Sequence, residues 1–138
     1  PAVRGQLRLW RAGPAMRGVA DPSYSEVRLA FAGVGLRPYA PCHLRLEGRR
    51  LSWVRRTRIS GDGWDGADVP LGEAREAYRV RLVRAGTLLA ETMVGEPAWA
   101  VPASIWSAAA AGGPFEAEVA QLSDVYGAGP AARRVIDV

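Results

Sequence analysis

From Cys42 onward, apolar and polar residues alternate with a period of two in one short run after another. CHLRLE (42–47) sets Leu44 and Leu46 on one face and Arg45 and Glu47 on the other. RLSWVRR (50–56) puts Leu51 and Trp53 on one side, and YRVRLVR (78–84) opposes Tyr78, Val80 and Leu82 to Arg79 and Arg81. FEAEVAQL (115–122) opposes Phe115, Ala117 and Val119 to Glu116, Glu118 and Ala120. Neighbouring residues of a strand point to opposite faces, so each run predicts a strand with one buried side. Weaker strands are expected at TLLAETMV (87–94), AWAV (98–101) and ARRVIDV (132–138), the first reached through the hairpin turn RAGT with Gly86. SIWSAAAA (104–111) predicts one or two helical turns, stopped by Gly112, Gly113 and Pro114.

Seven short alternating strands between Gly- and Pro-rich turns predict an all-β, immunoglobulin-like antiparallel β-sandwich over residues 41–138. Residues 1–40 read as an N-terminal β extension, or the end of a preceding domain plus a linker. QLRLW (6–10) and SEVRLAF (25–31) are its candidate strands, with Leu7 and Leu9 on one face of the first and Val27, Leu29 and Phe31 on one face of the second. Two strands alone are marginal in water, so this segment is expected to pack on something. GVGLRPYAP (33–41) reads as a linker that Pro38 and Pro41 stiffen.

Composition changes this picture little. The net charge is +4, and all eighteen basic residues are Arg, with no Lys, no Asn and three Ile. That bias points to a GC-rich bacterial genome. The Arg residues are spread at strand spacing, and the cluster Arg55, Arg56 and Arg58 is followed at once by Asp62, Asp65 and Asp68. Phosphate readers carry a continuous basic stripe instead, so no nucleic acid is expected. No apolar run approaches the ~20 residues that cross a bilayer, and no signal peptide is visible, so a soluble domain without membrane insertion is expected. A chain that opens on Pro1 reads as a piece of something longer. Cys42 and His43 are the sole residues of their types. They cannot complete a zinc site, and adjacent strand positions face apart. A small buried thiol and a surface imidazole are expected.

The stretch RISGDGWDGADVPLGE (58–73) interrupts the alternation. Its three Asp are three residues apart, which does not match the ligand spacing of an EF-hand loop. Paired carboxylates can cleave glycosides, but only inside a walled cleft. No enzyme, cofactor or metal is therefore expected. In the structural reading, Gly61, Gly63 and Gly66 permit positive φ, the Asp groups cap backbone or pair with Arg55, Arg56 and Arg58, and Trp64 folds back as a lid. In the binding reading, Trp64 stacks on a sugar whose hydroxyls the carboxylates accept. The first is the expected one, and the second stays open. The candidate binding surface is Asp62, Trp64, Asp65, Asp68 and Tyr126.

Several of these residues resemble a fibronectin type III domain: Trp53 in the second strand, Tyr78 opening the third, and VAQLSDVYGAGPAA with Gly127, Gly129 and Pro130 after the sixth. Phe115 stands where that family has Tyr, so the corner there is expected to be held by packing alone. The resemblance implies that the third and sixth strands are neighbours, setting Arg79 and Arg81 across from Glu116 and Glu118. It also implies that the 58–73 loop and VYGAGP share one pole. A wider resemblance covers GVGLRPYAPCHLRL, then WVRRTRISGDGWDGADVPLGEAREAYRVRL, PAW and VAQLSDVYGAGPAA. Together these are similar to the C-terminal part of the baseplate hub (host-specificity) protein of gene transfer agents and related prophages. That resemblance implies a non-enzymatic structural module in the tail of a phage-like particle, assembled in the bacterial cytoplasm. Its implied partners are other tail and baseplate proteins, and it leaves open a homotrimer of the parent and a cell-surface glycan. The rival readings are a carbohydrate-binding module with Trp64 and Tyr126 as its platform, and an accessory domain of an upstream glycoside hydrolase-like region.

Overall fold

The computed structural model describes residues 4–61 and 69–138. The chain divides into two units, Pro1–Leu36 and Arg37–Val138. In the first, strands β1 (Leu7–Ala12) and β2 (Ser25–Ala30) form an antiparallel hairpin, and every position of both is exposed. The register sets Trp10 opposite Val27 and Arg8 opposite Leu29. Trp10 therefore joins the face of Val27, Leu29 and Phe31, and its ring meets Phe31 edge-on at 5.1 Å. Leu7 and Leu9 occupy the other face, so both faces of this ribbon carry apolar groups. The connection between the strands is tied by the Tyr24 hydroxyl, which donates to the carbonyls of Pro14 and Arg17 at 3.0 and 3.1 Å.

The second unit holds the alternating runs. Strands β3 (Cys42–Glu47), β4 (Arg50–Val54) and β7 (Ala98–Ala100) make one antiparallel sheet in the order β3-β4-β7. The other sheet has the order β10-β8-β5-β6, built from β5 (Tyr78–Arg84), β6 (Thr87–Val94), β8 (Phe115–Ser123) and β10 (Ala132–Ile136). A two-residue strand, β9 (Gly127–Ala128), also pairs with β8. The apolar set of each alternating run points between the sheets: Leu51, Tyr78, Val80, Leu82, Ala117 and Val119 are wholly buried there, and Trp53, Phe115 and Ile136 nearly so. Each expected strand of this unit is present.

Two details depart from simple alternation. The β3–β4 register runs from Cys42↔Val54 to Arg45↔Ser52, a bulge with His43 at a positive φ of 52°. The extra residue pairs Cys42 with the exposed Val54, so the thiol is half-buried rather than buried, while His43 is exposed. The β5–β8 register sets Arg81 opposite Glu118 as expected, but Arg79 faces Ala120 and Glu116 faces Val83. The carboxylate that Arg81 holds is Glu91 of β6, at 2.5 Å, while Glu118 pairs with Arg133 of β10 at 3.1 Å. Both partners lie on strands beyond the pair considered in the sequence, because the sheet continues on either side of it.

Helix α1 (Ala103–Ala110) lies in the connection between β7 and β8, where SIWSAAAA predicts it. Its Trp106 meets Phe115 edge-on at 5.6 Å. Packing is not the only restraint at this corner, which corrects the expectation drawn from Phe115. The Arg84 guanidinium donates to the carbonyls of Gly113 at 2.8 Å and Pro114 at 3.2 Å, and also to that of Ala109 in the last turn of α1. Arg84 is the last residue of β5, directly before the turn Ala85–Gly86, where both residues have positive φ (46° and 82°). That is the backbone of the two-residue turn which matches strand twist.

Candidate functional site

The connection from β4 to β5 (55–77) and the one from β8 to β10 (124–131) leave the sandwich at the same pole, as expected. Side chains tie them together: Arg75 bonds Asp124 at 3.0 Å, and the Arg58 guanidinium lies 5.7 Å from the centre of the Tyr126 ring. Of the candidate binding residues, Asp62, Trp64, Asp65 and Asp68 lie outside the described residues. Tyr126 is half-buried, with Arg58 against its ring. Its backbone N–H donates to the Ser123 hydroxyl at 3.2 Å, which shapes the turn that carries it.

The long first connection is fastened by guanidinium groups. Arg55 donates to the carbonyls of Val69 (2.8 Å) and Pro70 (2.9 Å) and lies 4.0 Å from Glu76. Arg58 bonds Glu73 at 2.6 Å, with the two side chains only 18% and 8% exposed. The two ends of the connection are therefore clasped across the interval between them. Gly61 does not take the expected positive φ; Ser60 (47°) and Gly72 (71°) do. A Cβ at Gly61 would instead lie 3.0 Å from the Thr57 methyl, so the position serves a close approach.

Breaking a largely buried ion pair strands one charge in a poor dielectric, which costs up to ~3–5 kcal/mol for a fully buried pair. Arg58→Ala is therefore expected to lower stability by about 2 kcal/mol, given the partial exposure, and to loosen this connection before the sandwich. Limited proteolysis with site mapping checks it: cleavage between Arg58 and Glu73 should rise at least tenfold in the variant, while the strands stay intact.

Beneath the pole, the Tyr78 hydroxyl donates to Glu76 Oε1 at 2.6 Å, and its ring meets Trp53 edge-on at 5.2 Å. Burial raises the Tyr78 pKa well above the usual phenol range, and the bond to the Glu76 carboxylate adds to the shift. A raised folded-state value means that the protonated form is favoured by folding. This contribution is constant below the unfolded phenol value, near pH ~10, and falls away above it. Tyr78→Phe is expected to flatten the loss of stability with pH above ~10, as read from urea unfolding at a series of alkaline pH values.

One further residue, placed elsewhere by its sequence context, also belongs to this pole. Tyr39, read as part of a linker, lies beneath Arg56, whose guanidinium carbon is 5.1 Å from the ring centre. The segment that carries Tyr39 is built into the second unit: Pro38 and Pro41 are buried. A Cβ at Gly129 would collide with the Pro38 carbonyl. The signal in the sequence is a Tyr held between two prolines, immediately before a strand whose partner is followed by Arg55 and Arg56. Among the described residues, no three His, Cys, Asp or Glu side chains gather as metal ligands would.

No family model and no curated protein matches this chain. Among solved structures, it is similar to domains d3–d4 of the extracellular region of rat CD45, with a TM-score of 0.51 at 9% identity. The match covers 95% of this chain and 64% of that one, so the chain spans a little under two thirds of that structure. The second unit has a fibronectin type III-like fold. Its three-stranded sheet β3-β4-β7 faces the larger sheet β10-β8-β5-β6, and the likeness extends to this architecture alone.

Proposed function

We propose that this chain is a non-enzymatic structural module of a phage-like (gene transfer agent) tail baseplate hub, serving assembly and attachment to the host surface. Support comes from the segment WVRRTRISGDGWDGADVPLGE, whose resemblance to that group of hub proteins is set out above, joined to what its arginines do. Arg55 and Arg58 fasten an unusually long connection onto the end of a rigid sandwich. Loops held by a rigid scaffold are where such folds present recognition groups. Flanks pinned in this way lose little freedom of their own when a partner binds. On this reading, other baseplate proteins are the assembly partners, and the pole faces outward.

Immunogold labelling of intact particles, with an antibody raised against this chain, tests the assignment. Gold at the tail tip is the expected result. Particles that never label, or that label only on the head, would sink it.

A further inference from the structure

We propose that the Arg56–Tyr39 pair is a recognition point for the carboxylate of an acidic polysaccharide. This deepens the attachment half of the reading above and rests on it for the source of the sugar. The observation behind it is a difference among four guanidinium groups at one pole. Arg55 has Glu76 at 4.0 Å, Arg58 has Glu73 at 2.6 Å, and Arg75 has Asp124 at 3.0 Å. Arg56 has no carboxylate among the described residues; it lies on the Tyr39 ring instead. A guanidinium 5.1 Å from the centre of an aromatic ring spends none of its N–H groups on a carboxylate. Those groups are the fork which receives a carboxylate through two parallel bonds.

The support is rigid. Tyr39 stands between two buried prolines, and the carbonyl of one of them packs against Gly129 with no room for a Cβ. The ring is therefore held in place, so its side of the pair has little freedom to lose on binding. Tyr39 is still 46% exposed, and Arg56 is exposed beside it. A uronic acid presents both complements on one small ring: a carboxylate for the fork and a C–H face for the open part of the phenol. The net charge of +4 favours the approach of a polyanion over that of a neutral glycan.

The test is titration of the whole chain with a short oligogalacturonate at low ionic strength, beside a neutral dextran oligomer and poly-glutamate. Saturable binding of the oligogalacturonate, with none of the dextran, is expected. Arg56→Lys keeps the charge but removes the fork, and Tyr39→Leu removes the support; each should weaken binding roughly tenfold. Arg75→Gln removes a charge from the same pole, but from a guanidinium that already has a carboxylate, and should change affinity less than about twofold. Circular dichroism of each variant confirms that it is folded. Equal losses from Arg56→Lys and Arg75→Gln, or binding that does not saturate, overturn the proposal. So does poly-glutamate binding as tightly with the same dependence on Arg56, which would assign the site to an acidic protein. Particles that label away from the tail tip would undo the attachment reading while leaving this titration unchanged, so the two failures are separable.

Discussion

Trp53→Ala is expected to lower the stability of the sandwich by about 4 kcal/mol, within the range for deleting a buried Trp. Trp53 is 4% exposed and packs edge-on against Tyr78, which is wholly buried on the facing sheet. Removing the indole loses its burial and leaves a void between two sheets that cannot close over it, because each is fixed by its own ladder. For a domain of this size, a change of that magnitude lowers Tm by about 15 °C or more. Urea unfolding followed by circular dichroism reads it directly. Trp53→Phe, which keeps an aromatic ring against Tyr78, should retain more than half of the lost stability. Equal losses from Phe and Ala would show that the ring contact contributes nothing of its own.

Arg84→Ala is the next largest, at about 3 kcal/mol. The side chain satisfies carbonyls at Ala109, Gly113 and Pro114, where α1 ends and β8 begins. Hydrogen bonds from a charged donor contribute roughly 1.5–3 kcal/mol each, though not additively, and carbonyls left partly buried without a donor add to the cost. Arg84→Lys keeps the charge but not the planar fork, so it should recover less than half. Gly112→Ala approaches the same result from the other side, since its Cβ would fall on the guanidinium. Native-state hydrogen exchange is the decisive measurement: protection in α1 and at the start of β8 should fall together. A variant that loses protection evenly across all strands would show that Arg84 is not a local fastener.

The two sheets were legible because burial on one side of a strand writes itself as a period of two. Leu51, Trp53, Tyr78, Val80, Leu82, Phe115, Ala117 and Val119 all point inward as their spacing requires. Register was less legible. Nothing local to β5 or β8 says which residues face each other, so Arg79 and Glu116 were assigned each other's neighbourhood, whereas they face Ala120 and Val83. Arginine was the least legible element. Arg84 ends β5, where a charged residue reads as solvated, and Arg55 reads as a partner for the loop Asp groups, yet both serve backbone carbonyls far along the chain. Tyr39 was hidden for a similar reason: proline-rich spacing describes a linker equally well whether or not it is packed. At the pole, Tyr126 lies against Arg58 of the opposing connection, a neighbour that the spacing of the sequence does not reveal.

The fasteners at Arg55, Arg58 and Arg84 are guanidinium groups, in a chain that contains no lysine. Amine-directed chemistry (acetylation, succinimidyl dyes, formaldehyde fixation through ε-amines) therefore finds no side chain to modify, and the clasps at Arg55, Arg58 and Arg84 pass through it intact. Dicarbonyl reagents that condense with guanidinium reverse the situation. Methylglyoxal or phenylglyoxal would undo the corner at α1 and the long connection together, so this scaffold resists one class of damage and is exposed to the other.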